Sequence, residues 1–134
     1  MWCLIARPGS IPEDAGKSDF AVCVYVLRIW HEQHHAPVGK AAAAVNAIDV
    51  MLVVLDGLRS LPDSLNAGFR HPAYADSAAP LTLNVGTISG GDWPSSVPLA
   101  CRAGIRFSFP IGWSITEAKR ALTDRLREVA EAHP

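Results

Sequence analysis

The sequence predicts an α+β protein built as a two-layer sandwich, with an antiparallel sheet carrying two helices on one face. Three observations carry that expectation. Residues 21–30, 81–88 and 99–109 have the composition or alternation of strands. Residues 39–61, and the segment that follows Ser114, repeat their apolar positions at helical spacing. At 134 residues the chain has room for one domain with a real core and too little for two ordinary ones.

The elements follow in chain order. Residues 2–6 suit a short strand, and 8–19 ("PGSIPEDAGKSD") suit a loop because Pro, Gly and charge crowd it. Residues 1–20 are therefore read as an N-terminal strand and loop. "AVCVYVLRIW" (21–30) is rich in β-branched and aromatic residues. Cys23, Tyr25, Leu27 and Ile29 share one face; Val22, Val24 and Val26 make the other face apolar too, which predicts a central strand covered in part on both sides.

Residues 39–61 form a helix whose apolar arc, Val45 to Leu61, leaves only a narrow polar strip at Asn46, Asp49, Asp56 and Ser60. A helix that apolar needs cover on two sides. A small sheet supplies one, and a partner chain is expected to supply the other. Pro62 is expected to end the helix, with 62–80 irregular. Residues 81–88 turn Leu81, Leu83 and Val85 inward, and "GGDWPSSVP" is a turn-rich link in which Trp93 is expected to anchor the loop on the sheet. Residues 99–109 alternate cleanly, with Leu99, Cys101, Ala103, Ile105, Phe107 and Phe109 inward and Arg102, Arg106 and Ser108 outward. Ser114 and Glu117 form a capping box. Ala118, Leu122, Leu126 and Val129 then make the buried stripe of the last helix.

The order β, α, β, β, α is the ferredoxin-like plan without its fourth strand. That strand would lie antiparallel beside the first, so residues 2–6 are predicted to take its place.

Composition removes several classes of function. With 49% hydrophobic and 19% charged residues the chain is globular rather than disordered. Its 12 basic and 13 acidic residues leave a net charge of −1, which gives no footprint for nucleic acid or an anionic membrane. No apolar run reaches the ~20 residues that cross a bilayer. Cys3, Cys23 and Cys101 have no C-x-x-C spacing, and an odd number of thiols predicts free cysteines in a reducing, cytoplasmic setting, with Cys23 and Cys101 in the core.

One short motif suggests a metal. "HEQHH" (31–35) fits H-E-x-x-H, which builds a zinc-protease site when two His lie on one helical face. Here it follows a strand directly and meets Pro37 two residues later, which disfavours helix. No third ligand is in place, since His71 falls in an irregular stretch and His133 at the chain's end. A minimal zinc protease is thus the least favoured of three readings.

The wider sequence supplies another. "YVLRIWHEQHHA" (25–36), "AVNAI" (44–48), "RHPAYAD" (70–76), "LNVGTISGGDWPSSVP" (83–98) and "RFSFPIG" (106–112) together resemble the dimerisation (lid) domain of the co-catalytic zinc hydrolases that include acetylornithine deacetylase, succinyl-diaminopimelate desuccinylase, aminoacylase and glutamate carboxypeptidase. The resemblance spans 21–134, and the long segment 83–98 is its most specific part. Three departures stand out: His31 replaces a usual Gly, the stretch from His35 to "VNAI" is about two residues longer than in the pattern, and Ser95 stands where many members have Asn.

The resemblance implies a homodimer formed through helix 39–61 and a strand edge. It implies that His35 stabilises the tetrahedral intermediate over the other subunit's zinc ions, in the manner of an oxyanion hole, and that Arg106 and Ser95 contact substrate. It implies zinc in the parent enzyme and none here: no H-x-D pair, no Glu-Glu pair and no distant His ligand occur in these residues, so the catalytic domain is absent and the chain alone is expected to bind no zinc pair and to be inactive. The parent chemistry would be amide hydrolysis of N-acyl amino acids or peptides. The remaining alternative is a ferredoxin-like module that binds a small regulatory molecule.

Overall fold

A computed structural model describes residues 3–8, 21–30 and 45–133. The order of elements is β1 (Cys3–Pro8), β2 (Ala21–Trp30), α1 (Ala47–Gly68), a 3₁₀ turn (Pro72–Tyr74), β3 (Leu83–Gly90), β4 (Ala100–Phe109) and α2 (Ile115–Ala132). The strands form one sheet in the order β1-β2-β4-β3, with every neighbouring pair antiparallel. β2 and β3 therefore run the same way with β4 between them, which is the split βαβ of the ferredoxin-like plan. β1 pairs with β2 from Cys3↔Trp30 to Pro8↔Tyr25. An N-terminal strand thus occupies the place of the missing fourth strand, two residues longer at its end than residues 2–6.

The core lies between the sheet and the two helices. Tyr25, Leu27 and Ile29 of β2 and Cys101, Ala103, Ile105, Phe107 and Phe109 of β4 point into it and are buried. Met51, Leu55 and Leu58 of α1 and Ala118, Leu122, Leu126 and Val129 of α2 close it from above. On β3, Leu83 and Val85 are partly buried against this core. A bulge between Val85 and Thr87 then resets the register, so that Ile88 pairs with Ala103 on the helix-bearing face. Val24 and Val26, on the opposite face of β2, are half-buried.

α2 begins as its sequence dictates. The Ser114 hydroxyl oxygen accepts from the Glu117 amide at 3.2 Å, and the Glu117 carboxylate accepts from the Ser114 amide at 2.7 Å.

α1 departs from expectation at both ends. It starts at Ala47, capped by Asn46, whose side chain accepts from the Ile48 amide at 2.9 Å; Val45 and Asn46 lie outside it, and residues 39–44 lie outside the described residues. It also runs through Pro62 to Gly68 instead of stopping. An interior proline costs about 3 kcal/mol through its missing N–H and its ring clash. Tertiary contacts offset that cost here: Leu61 and Pro62 are buried, Leu65 packs on the core, and the Asn66 amide makes two hydrogen bonds to the backbone of Leu81, at 2.9 and 3.0 Å. Ile48 sits beside Gly90 at the end of β3 and Asn66 beside Leu81 before its start, so α1 lies antiparallel along β3.

Much of the second apolar side of α1, expected to face a partner chain, is covered within this chain by α2. Gly57 is the point of closest approach: a Cβ there would collide with the Val129 methyls. Arg125 of α2 donates to the Gly57 carbonyl at 3.0 Å and to the Ser60 hydroxyl at 2.6 Å. What stays uncovered is smaller, namely Leu52 and Val53 on the helix and Val45 just before it.

Candidate functional site: the open sheet face and the β3 edge

With both helices on one side, the other face of the sheet is free of described elements. The strand alternation puts Val24, Val26, Arg28 and Trp30 of β2 there, beside Arg102, Gly104 and Arg106 of β4. Ser108 has the same parity but is buried, and its hydroxyl lies 3.2 Å from that of Thr82. Arg106 is exposed and stands between Val24 and Asn84 in the register. Arg28 and Arg102 are direct cross-strand partners, and both are exposed. The ion pairs found among the described residues all lie within α2 (Arg120–Asp124, Arg125–Glu128, Arg127–Asp124), so none neutralises these three arginines.

Sequence reasoning placed Arg102 and Arg106 on this face and missed Arg28. The outward parity of β2 already implied its direction, but its meeting with Arg102 needed the strand register.

Ser95 is exposed in the turn-rich link between β3 and β4. That link turns at Gly91, whose φ of 77° is a conformation that favours glycine, and is braced by Ser96, which donates to the Trp93 carbonyl from its hydroxyl at 2.9 Å and its amide at 3.0 Å. Trp93 does not anchor the link on the sheet: it is 68% exposed, because the tight turn at 93–96 directs it outward. Arg106 lies six residues along β4 from Ala100, or about 20 Å at strand rise. The strand thus separates Arg106 from the Ala100 end of β4, where the link that carries Ser95 enters. His35, like His31 and the rest of the "HEQHH" motif, lies outside the described residues.

No group of three or more His, Cys, Asp or Glu side chains that could hold a metal occurs among the described residues. His71 has its Nδ1 engaged as the acceptor for the Ala73 amide at 3.2 Å, and its ring stacks on Phe69. The described donor set does not fit a zinc pair. Cys101 is free and buried, and burial pushes its thiol above the usual range despite an opposing backbone hydrogen bond at Arg102. No helix among the described residues is long and apolar enough to cross a membrane.

The other notable surface is the free edge of β3. Ile88 is 48% exposed on the helix-bearing side of that edge. Leu52, one turn on from Ile48, is 54% exposed, and Val45 is open one turn before it.

Comparison with known proteins matches residues 31–134 to the family described as a peptidase dimerisation domain. Acetylornithine deacetylase of Vibrio cholerae is 32% identical over 134 residues, covering 99% of this chain and 34% of that protein. The Vibrio atlanticus acetylornithine deacetylase is 31% identical with the same coverage. The chain thus spans about a third of the length of the curated relatives it matches. Among solved structures, an M20 family metallo-carboxypeptidase from Sulfolobus solfataricus superposes with a TM-score of 0.61 at 14% identity, over 83% of this chain and 35% of that one, a likeness of fold.

Proposed function

Because this chain belongs to the peptidase dimerisation domain family, we propose that it is the self-association and lid module of a larger, zinc-dependent amide hydrolase of the acetylornithine deacetylase kind, and is not itself catalytic. In this reading residues 21–134 are the module and residues 1–20 add the edge strand. Two copies pair as a homodimer through the outer side of α1 and the free edge of β3, extending the sheet across the dimer by main-chain hydrogen bonds. Arg106 offers its guanidinium fork to a substrate carboxylate, Ser95 donates to substrate from the link, and His35 reaches the partner's reaction centre to steady the developing oxyanion. The module is cytoplasmic and holds no metal of its own; zinc belongs to the parent enzyme.

One observation carries the pairing: Val45, Leu52 and Ile88 are exposed apolar side chains, and β3 is an edge strand that no described element covers. An open edge beside apolar side chains is a surface that proteins otherwise blunt with charge or proline.

Sedimentation analysis tests it. The chain should sediment as a dimer at micromolar concentration, and Leu52→Glu should raise the dimer dissociation constant roughly tenfold or more by placing a charge in the interface. Because Leu52 is half-exposed in the protomer, the same variant should keep a folded spectrum. A chain that stays monomeric throughout would refute the pairing.

A further inference from the structure

The roles proposed above leave Arg28 and Arg102 on the open sheet face unused. Arg28 and Arg102 are register partners on adjacent antiparallel strands, which places their Cβ atoms about 5 Å apart. Both side chains are cationic guanidiniums, and like charges directly opposite one another weaken a sheet. Nothing among the described residues relieves this: the ion pairs lie in α2, and Asp92, the acid lining the same cleft, makes none with either arginine. The cleft has a volume of about 740 Å³, within the range of small-molecule sites. Trp30, half-buried two residues beyond Arg28, lines it as well.

We propose that Arg28 and Arg102 form a binding site for a small carboxylate-bearing metabolite. Two planar forks from neighbouring strands grip both oxygens of a carboxylate, a geometry in which charge-assisted bonds are strongest. The Trp30 ring flanks the ligand's carbon body, an apolar contact that a bare inorganic anion cannot use. Binding supplies a negative charge that no described residue gives the opposed arginines. The site does not depend on the role proposed for Arg106, which lies four residues further along β4, about 13 Å away.

The test is an NMR titration of the isotope-labelled chain at constant ionic strength, following the arginine Nε–H groups and the Trp30 indole N–H. Glutarate is the probe; acetate, inorganic phosphate and a glutamate-rich peptide are the comparison arms. Glutarate and acetate should both shift Arg28, Arg102 and Trp30 saturably, with glutarate tighter because it has the longer carbon body. Arg28→Gln or Arg102→Gln should weaken glutarate roughly tenfold or more, whereas Arg120→Gln, on the exposed side of α2, should leave it unchanged. Without ligand, each of the first two variants should unfold at a slightly higher temperature, since the opposed charge is gone; a merely structural arginine would instead lower it.

Three results would overturn the site: no saturation by glutarate at millimolar concentration, tighter binding of phosphate, or tighter binding of the acidic peptide, which would reassign the surface to a protein partner. The sedimentation result above stands or falls separately.

Discussion

The two helices lie side by side on one sheet, yet they are held in different ways. α2 buries a single narrow stripe, Ala118, Leu122, Leu126 and Val129, and gives its other faces to water and to the ion pairs of Arg120, Asp124, Arg125, Arg127 and Glu128. α1 packs in two directions, with Met51, Leu55 and Leu58 in the core and Gly57 against Val129, and still leaves Leu52 and Val53 in the open. α2 is complete within one chain. α1 keeps unspent apolar surface, which is where a second copy would add to the structure in the proposed dimer. A helix that exceeds the needs of its own domain points to assembly, but only after the neighbours inside the chain have been subtracted.

The sharpest way to probe this contrast is to remove core atoms from each helix. Leu58 and Leu122 are both fully buried. Leu58→Ala and Leu122→Ala should each cost about 2–5 kcal/mol in urea unfolding, a large part of the 5–15 kcal/mol typical of a domain. Leu122→Ala should leave the dimer dissociation constant of the folded fraction unchanged, whereas Leu58→Ala, by loosening α1, should raise it. Equal effects on association would erase the distinction drawn between the helices.

The contact between them comes next in size. Gly57→Val sets a branched side chain against Val129, whose methyls a Cβ alone would already meet. Overpacking of this kind costs about 1–3 kcal/mol, more than the roughly 0.5 kcal/mol gained by replacing a helical glycine. A second substitution, Val129→Ala, should restore most of the loss. Failure of that rescue would mean that α2 does not press on Gly57 as described.

The same contrast explains what could be seen in the sequence. α2 was legible in its start and its buried face because both are local: a capping box and a stripe of period 3.6 need no knowledge of the rest of the chain. The strands were legible to within two residues for the same reason, since alternation through Cys101, Ala103, Ile105 and Phe107 records a one-sided burial. α1 was not. Its passage through Pro62 depends on Asn66 reaching Leu81, fifteen residues away, and on a proline ring that is itself core. The apolar excess was visible, but whether α2 or a second chain covers it is a tertiary question. At the site, Arg106 was found by alternation and by resemblance. The Arg28–Arg102 pair was hidden because register is a long-range property, and Trp93 was misjudged because a tight turn, not its apolar ring, decides where it points.

The smallest expected effect concerns the start of α2, where the comparison is most local. The Ser114 backbone amide first, and its hydroxyl second, donate to the Glu117 carboxylate and hold its pKa below the ordinary range for an exposed carboxylate. A folded-state pKa depressed in this way contributes stability that is fully present above the unfolded value and is lost as pH falls through the lower folded value. Ser114→Ala should cost about 1 kcal/mol at neutral pH through the lost cap. It also removes the hydroxyl's bond to the carboxylate, so the unfolding free energies of the variant and the parent chain should approach one another in acid, below the folded value. Asn46→Ala, which uncaps α1, supplies the control: its side chain accepts from amides without engaging a titrating partner, so its deficit should stay constant over the same window. A Ser114→Ala deficit equally flat with pH would show that the hydroxyl's donation to the carboxylate adds nothing, leaving the box to the hydroxyl oxygen on the Glu117 amide and to the Ser114 amide on the carboxylate.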